Sequence, residues 1–282
     1  MLVNLNEVLL DAKKNKYAVG LFNTINLEMA RGVLSAAEEM KSPVIIGTAE
    51  VLLPYGGLRE LAPLLTDMAK RASVPVVLHF DHGLTEENVN LAMDLGFSSI
   101  MYDCSTLDFE GNLKAVAEMV KKAHLRGITV EGELGHVGAN DGSAEGDGEG
   151  DKSIYTEPDK AKLFVEDTGV DALAVAIGTA HGAYKSKPKL DLERLAEIAA
   201  TIPTPLVLHG GSGLSDDDFK NTIAGGISKV NIFTDINCAA ANAAYETYQK
   251  GYGITDLIPN IIEAIKKETE KKMKLFGSVN RA

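Results

Sequence analysis

The chain has 282 residues, of which 45% are hydrophobic, and its formal net charge at pH 7 is −12. This acidic balance argues against nucleic-acid binding, which favours a basic face. No apolar run approaches the ~20 residues of a membrane span, and the N-terminus lacks the pattern of a signal peptide. The two cysteines, Cys104 and Cys238, form no disulfide framework. We therefore expect a cytoplasmic protein that binds neither membranes nor nucleic acid.

Short apolar runs alternate with amphipathic stretches along the chain, which predicts parallel strands connected by helices. In the amphipathic stretches, apolar residues recur every three or four positions, and several stretches end at glycine. Eight strand–helix units predict an α/β fold, a (β/α)8 TIM barrel that forms a single domain over residues 1–282. An extra C-terminal helix is expected from about residue 255. The predicted strands cover 17–23, 44–49, 76–81, 99–103, 129–134, 172–178, 206–211 and 229–234.

One segment interrupts this alternation. Residues 138–152, GANDGSAEGDGEGDK, are rich in glycine and acids and contain almost nothing apolar. Such a segment cannot bury itself, so we expect a mobile loop over about 136–153 that follows the fifth predicted strand. It is either a disordered insertion or a lid that folds over a substrate.

Three histidines stand just past an apolar run, and glycine follows each of them. They are His82, His181 and His209, in the segments VPVVLHFDHG, ALAVAIGTAHG and TPLVLHGGSG. Residues beyond the C-terminal ends of barrel strands face the functional end, so these imidazoles are expected to converge. Three neutral imidazoles with an open fourth position make a catalytic zinc site. A single histidine is more often structural, but three in the same topological position favour a metal site.

Carboxylates accompany these histidines. Asp81 directly precedes His82, and an acid beside a metal-bound imidazole suits proton transfer close to a Lewis acid. Asp103 ends the fourth predicted strand and Glu133 ends the fifth. These two acids could orient ligand histidines, offer a second metal position, or simply cap their loops.

Two loops follow the seventh and eighth predicted strands, HGGSG at 209–213 and NIFTD at 231–235. Barrels often bind phosphate in these loops through backbone amides and hydroxyls, here with two glycines and with Ser212 and Thr234. A phosphate anchor beside a metal suggests a phosphorylated ketose or triose as substrate, and an aldol cleavage needs these parts. A Schiff-base mechanism would need a buried lysine near a strand's C-terminal end, and Lys229 is expected at the start of the eighth strand, the wrong end.

Several motifs together are highly specific. With them the chain resembles, over nearly its whole length, the class II zinc-dependent ketose-bisphosphate aldolases, close to the fructose- and tagatose-bisphosphate branch. The motifs are FN at 22–23, SPVII at 42–46, LHFDHG at 78–83, MYDCS at 101–105, VEGELG at 130–135, AVAIGTAHGAY at 174–184, LVLHGGSG at 206–213 and KVNIFTD at 229–235.

The resemblance implies one catalytic Zn²⁺, held by the three histidines, and Asp81 as the proton donor. It implies that Asp103 and Glu133 match acids that meet zinc in an alternative position. A monovalent cation (Na⁺ or K⁺) near the phosphate and a homodimer or homotetramer are further family expectations. The residues that would contact the phosphorylated sugar, most of them at its dihydroxyacetone phosphate moiety, are Asn23, Gly182, Gly210, Gly211, Ser212, Asn231, Ile232, Phe233 and Thr234.

The chain departs from the family at the base that takes the carbon-bound proton. In relatives this base is a glutamate in a Gly-x-Glu-Asp stretch of the mobile loop. The aligned residues here are Asn140, Asp141 and Gly142. Asp141 or Glu145 could therefore serve as the catalytic base.

The aldehyde half of the substrate is also open. Ala49 stands where relatives often carry a hydroxyl, and Lys185 or Arg281 could meet a far phosphate or be ordinary surface charges. The leading hypothesis is reversible cleavage of a ketose 1,6-bisphosphate to dihydroxyacetone phosphate and glyceraldehyde 3-phosphate. Alternatives are a non-phosphorylated or sugar-acid aldehyde, another metal-dependent barrel enzyme, and a non-catalytic companion subunit.

Overall fold

A computed structural model describes residues 1–135, 137, 155–180 and 188–282. In this part of the chain, parallel strands alternate with helices. The strands are β1 (Leu2–Val3), β2 (Val19–Asn23), β3 (Val44–Ala49), β4 (Val76–Gly83), β5 (Ser99–Tyr102), β6 (Thr129–Leu134), β7 (Ala172–Val175), β8 (Leu206–Leu208) and β9 (Ile227–Ile232). The helices are α1 (Leu5–Asn15), α2 (Leu27–Met40), α3 (Leu58–Arg71), α4 (Glu86–Asp94), α5 (Phe109–His124), α6 (Pro158–Thr168), α7 (Leu192–Thr201), α8 (Asp216–Ala224), α9 (Thr234–Thr247) and α10 (Ile254–Phe276).

The eight strands β2 to β9 close into a ring in chain order, which confirms the predicted TIM barrel. Each of them pairs in parallel with its chain neighbours, and β9 pairs back onto β2. Every predicted apolar run overlaps one of these strands. The two-residue β1 was not predicted, because it is too short to show a pattern; it pairs with the first residues of β4.

Several strand boundaries differ from the sequence-based ones, and two of these differences matter for the site. β4 continues to Gly83 instead of ending at residue 81, so His82 lies within the strand. β9 begins at Ile227, directly after Gly226, so Lys229 lies inside the strand and the prediction that it starts the strand is wrong. Because Ser228 is polar, a search for apolar runs does not extend the predicted strand back to Ile227.

The interior of the barrel has an apolar lower layer. Side chains on alternate strand residues face inward, as the two-residue period of a strand requires. At the N-terminal end of the barrel these residues pack against helix α1, which closes that end. The members of this layer are Leu5, Val8, Leu9, Ala12, Tyr17, Val19, Leu21, Ile45, Val77, Ala172, Ala174 and Val207.

The upper layer, toward the C-terminal ends of the strands, is polar although it is almost as deeply buried. Acids, amides, imidazoles and one lysine occupy the inward positions there. They are Asn23, His79, Asp81, Glu131, Glu133, His209, Lys229 and Asn231. Because buried polar groups must find partners inside the protein, this layer is where a specific site is expected.

The predicted C-terminal helix is present as α10, and it packs on the outside of the barrel against α2 and α9. The approach to α2 is close, because a Cβ atom on Gly32 would lie 2.7 Å from Cγ2 of Ile265. In the described ranges, no helix has both the length and the apolar character needed to cross a membrane.

The closing helix α1 supports a stability prediction. Leu9 is fully buried in the lower layer, whereas the next residue, Leu10, is 54% exposed. We expect Leu9→Ala to lower the free energy of unfolding by about 2–5 kcal/mol, because it leaves a cavity under the barrel. Leu10→Ala is the control and should change it by less than about 0.5 kcal/mol. Denaturant titration of both variants checks this, and equal losses would contradict the closing role of α1.

Candidate active site and metal centre

A bulge in β4 turns His82 into the mouth of the barrel. Asp81 faces the interior, so in a regular strand the next side chain would face outward. The pairing between β4 and β5 shifts register between Phe80 and Gly83, and His82 has a φ of 41°, in the left-handed region. Bulges re-aim side chains in this way beside active sites.

His82 and His209 approach each other from opposite sides of the barrel. Nε2 of His82 lies 2.7 Å from Nδ1 of His209, which directly follows β8. The outer nitrogen of each ring contacts a carboxylate: Nδ1 of His82 lies 2.7 Å from Oδ2 of Asp103, and Nε2 of His209 lies 2.8 Å from Oε1 of Glu131. Proteins orient metal-binding imidazoles with outer carboxylates of this kind. The inner nitrogens face one shared point.

Glu133 completes this donor set. Its carboxyl is buried, and Oε2 accepts no hydrogen bond from the described residues, although it lies 3.9 Å from Nδ1 of His209. Burial raises the pKa of Glu133 against the opposing charges of His209 and His82. An unpartnered buried carboxylate oxygen beside two imidazole nitrogens fits a cation. Nitrogen and oxygen donors in this combination suit Zn²⁺.

Two overlapping groups offer ligand atoms within 4.8 Å of one another at this point. One contains Asp81, His82 and His209, and the other contains His82, Asp103 and Glu133. The residues present therefore fit a single divalent ion at the mouth of the barrel. The third predicted histidine ligand, His181, lies outside the described residues.

Asp81 is held from both sides by amides. Nδ2 of Asn23 donates to its Oδ2 over 2.8 Å, and Nδ2 of Asn231 donates to its Oδ1 over 3.0 Å. Burial alone would raise the pKa of Asp81, but the neighbouring positive charges of His82 and Lys229 hold it well below its usual range. In the protein alone, Asp81 is therefore a carboxylate with a fixed orientation.

The two predicted phosphate loops lie side by side. Phe233 N donates to Oγ of Ser212 over 3.4 Å, and Thr234 opens helix α9, whose first amides can bind an anion. Gly210 has a φ of 66°, and a Cβ there would lie 2.4 Å from the carbonyl oxygen of Ala180. Only glycine fits that position, because the backbone of Gly210 passes close to the backbone of Ala180.

A cavity of about 490 Å³ joins the metal-binding end to these loops. His209 lies behind its wall, fully buried. The predicted site residues that line the cavity are Asn23, Asp81, His82, Asp103, Glu133, Gly210, Gly211, Ser212, Asn231, Ile232, Phe233 and Thr234.

The other predicted residues are not among the described residues that line the cavity. Gly182, Asp141, Glu145 and Lys185 lie outside the described residues, as does most of the segment 136–153. Arg281 stacks on the ring of Tyr17, 5.2 Å from its centroid, just before the first residue of β2. That is the N-terminal end of the barrel, so of its two alternatives the structure supports an ordinary surface charge.

Sequence inspection missed two buried charges of the upper layer, Glu131 and Lys229. Both are fully buried, and Nζ of Lys229 lies 2.8 Å from Oε2 of Glu131. The available signal was their spacing: Glu131 is two residues before Glu133, and Lys229 is two before Asn231, so each shares the inward face with a predicted site residue.

Comparison with known proteins assigns the chain to a family. The family model for fructose-bisphosphate aldolase class-II matches residues 3–281. The chain belongs to this family. It is an aldolase, a carbon–carbon lyase. The fructose-bisphosphate aldolase of Thermus caldophilus is 41% identical over 308 residues, covering 100% of both chains. The crystal structure of the YdjI aldolase from Escherichia coli K12 has a TM-score of 0.89 and 39% identity, and each chain is covered completely.

The contact between Asp103 and His82 gives a prediction for the aldolase. Asp103→Asn removes the charge behind His82, and we expect the dissociation constant for Zn²⁺ to rise about 10- to 100-fold. Competition with a chromophoric chelator measures this. Asp171→Asn is the matched control, because Asp171 holds Nε2 of His124 at 2.8 Å, and His124 ends helix α5, away from the site. Equal effects in both variants would contradict the orienting role of Asp103.

Proposed function

We propose that this aldolase holds one catalytic Zn²⁺ and cleaves a ketose 1,6-bisphosphate, of the fructose or tagatose type, to dihydroxyacetone phosphate and glyceraldehyde 3-phosphate. The observation that carries the proposal is the meeting of His82 and His209 at 2.7 Å beside Oε2 of Glu133, which accepts no hydrogen bond from the described residues. The phosphate loops across the same cavity support it. So does the name fructose-bisphosphate aldolase of a relative with 41% identity.

In this proposal, Nε2 of His82, Nδ1 of His209 and the imidazole of His181 hold the metal. When bound, the ion polarises the substrate carbonyl and stabilises negative charge on its oxygen. Asp103 and Glu131 keep protons on the outer ring nitrogens, so that the inner nitrogens stay available as ligands. Asp103 and Glu133 remain candidates for an alternative metal position.

Proton transfer falls to Asp81. As a carboxylate fixed by Asn23 and Asn231, it takes the proton of the substrate's C4 hydroxyl in cleavage and returns it to the aldehyde oxygen in condensation. The C3–C4 bond breaks and its electron pair stays on C3. A carboxyl group of the 136–153 segment, Asp141 or Glu145, then delivers a proton to C3.

The phosphate of the dihydroxyacetone phosphate moiety is assigned to the amides of Gly210 to Ser212 and to the start of α9 at Thr234, with a Na⁺ or K⁺ ion nearby. The amides at a helix N-terminus favour a phosphate there. Gly182 is proposed to join this group. We also keep a homodimer or homotetramer and a cytoplasmic location as proposals.

A second candidate is condensation with a non-phosphorylated or sugar-acid aldehyde. The end of the cavity remote from the phosphate loops is apolar, with Ala49, Val51, Leu52 and Leu84 in its wall. The cavity lining contains no lysine or arginine among the described residues. A companion subunit without catalysis is less consistent with the site, because both described histidine ligands and their carboxylates are present.

The metal proposal is tested by His209→Ala. We expect this variant to lose bound zinc and to lower kcat/KM by at least about 1000-fold, since a ligand and its ordered imidazole are gone. Elemental analysis and a coupled assay of dihydroxyacetone phosphate release measure both. His124→Ala, which removes an imidazole from the end of α5, should leave both unchanged. Activity without metal in the purified protein would contradict the proposal.

The aldehyde is tested by condensation with dihydroxyacetone phosphate and a panel of aldehydes. We expect dihydroxyacetone without phosphate to lower kcat/KM by at least about 100-fold, because the phosphate loops lose their anion. Higher kcat/KM for glyceraldehyde 3-phosphate than for glyceraldehyde supports the leading candidate, and the reverse supports the second. In the second case Leu84→Lys should shift preference toward the phosphorylated aldehyde, whereas its uncharged control, Leu84→Gln, should not.

A further inference from the structure

Lys229 is a fully buried lysine in the upper layer of the barrel interior. Its Nζ donates to Oδ1 of Asn231 over 2.7 Å and lies 2.8 Å from Oε2 of Glu131. Neither Lys229 nor Glu131 lines the substrate cavity. Any part that this ammonium plays in the reaction is therefore exerted through the side chains that it holds.

The first side chain that Lys229 holds is Glu131, which in turn contacts His209. The Lys229 ammonium lies against one carboxylate oxygen of Glu131, Oε2, and the two groups form a buried ion pair. The second oxygen of the carboxylate, Oε1, lies 2.8 Å from Nε2 of His209. Because a carboxylate only accepts, the hydrogen of the imidazole is on Nε2 and the lone pair is on Nδ1, which faces His82.

The second is Asn231, which leads to Asp81. An ammonium only donates, so the oxygen of the Asn231 amide faces Lys229. The NH₂ group must then face the other way, where it donates to Oδ1 of Asp81 over 3.0 Å. A flipped amide would place NH₂ against the ammonium and its oxygen against the carboxylate, which are two repulsive contacts in a buried site.

The neighbouring acids need this positive charge. His79, Asp81 and Glu131 have ligand atoms within 4.8 Å of one another and form a candidate cation group below the metal centre. Nζ of Lys229 already contacts Glu131 in that group, and a divalent ion within a few ångströms of it would be repelled. We infer that the ammonium is the resident cation of this group.

We propose that Lys229 is a positioning residue: one ammonium fixes the His209 tautomer that offers Nδ1 to the metal and the Asn231 orientation that offers its NH₂ to Asp81. The inference rests on the proposed function for its metal and its substrate. The contacts of Lys229 with Glu131 and Asn231, however, exist in the protein alone and can be tested there.

The test is Lys229→Met, which keeps the length of the side chain and removes its charge. In the metal-free protein, two-bond ¹H–¹⁵N correlation spectra report the tautomer of His209. We expect the proton on Nε2 in the native protein and a mixture of tautomers in the variant. The dissociation constant for Zn²⁺ should rise at least about tenfold, and kcat should fall more than KM changes, because Asp81 loses its oriented partner.

Lys13→Met is the matched control. Nζ of Lys13 makes two hydrogen bonds, to the carbonyl oxygens of Ile202 and Thr204, at the other end of the barrel. It should leave the His209 tautomer, the Zn²⁺ affinity and the kinetics unchanged, so any general effect of removing a lysine is separated from the effect at the site.

If Lys229→Met does not fold, the double variant Lys229→Met/Glu131→Gln takes its place, because it leaves no unpaired charge on either partner. The same mixed tautomer and weaker Zn²⁺ binding are expected of it. Native tautomer, affinity and kcat in whichever variant folds would overturn the positioning role. Absence of Zn²⁺ binding by the native protein would instead contradict the proposed function, so the two failures are distinguishable.

Discussion

The site depends on one contact, between imidazoles carried by strands on opposite sides of the barrel. His82 belongs to β4 and His209 follows β8, and their ring nitrogens lie 2.7 Å apart only because the eight strands close into a ring. An open sheet of the same strands in the same order would hold them far apart. Closure of the barrel is thus the condition for a shared metal, and the outer carboxylates refine the geometry that closure provides.

The interior divides into two layers with different tasks. The apolar lower layer, closed by α1, supplies hydrophobic stability, which scales with the apolar area removed from water. The upper layer gathers acids in surroundings of low dielectric, where an unbalanced charge is costly and a paired one is strong. Lys229 balances Glu131 in this layer. The charged side chains of the site are therefore separate from the apolar lower layer that supplies hydrophobic stability.

Periodicity and glycine positions in the sequence were sufficient to predict the barrel, its eight strands and the convergence of His82 and His209. They could not predict the bulge at His82, because a register shift depends on the neighbouring strand. The depth of Lys229 was misjudged because Ser228 interrupts the apolar run at the start of β9. Local sequence patterns predict the helices and strands, whereas the contacts between side chains of different elements are seen only in the folded structure.

The backbone at His82 has a consequence for how this enzyme can be evolved. With a φ of 41°, His82 occupies a conformation that costs most L-amino acids free energy and that glycine adopts freely. Selection for heat resistance alone would therefore favour replacement of His82, whereas selection for turnover would oppose that replacement. Directed evolution of a more thermostable variant should keep His82 unchanged and seek stabilising substitutions in the apolar lower layer.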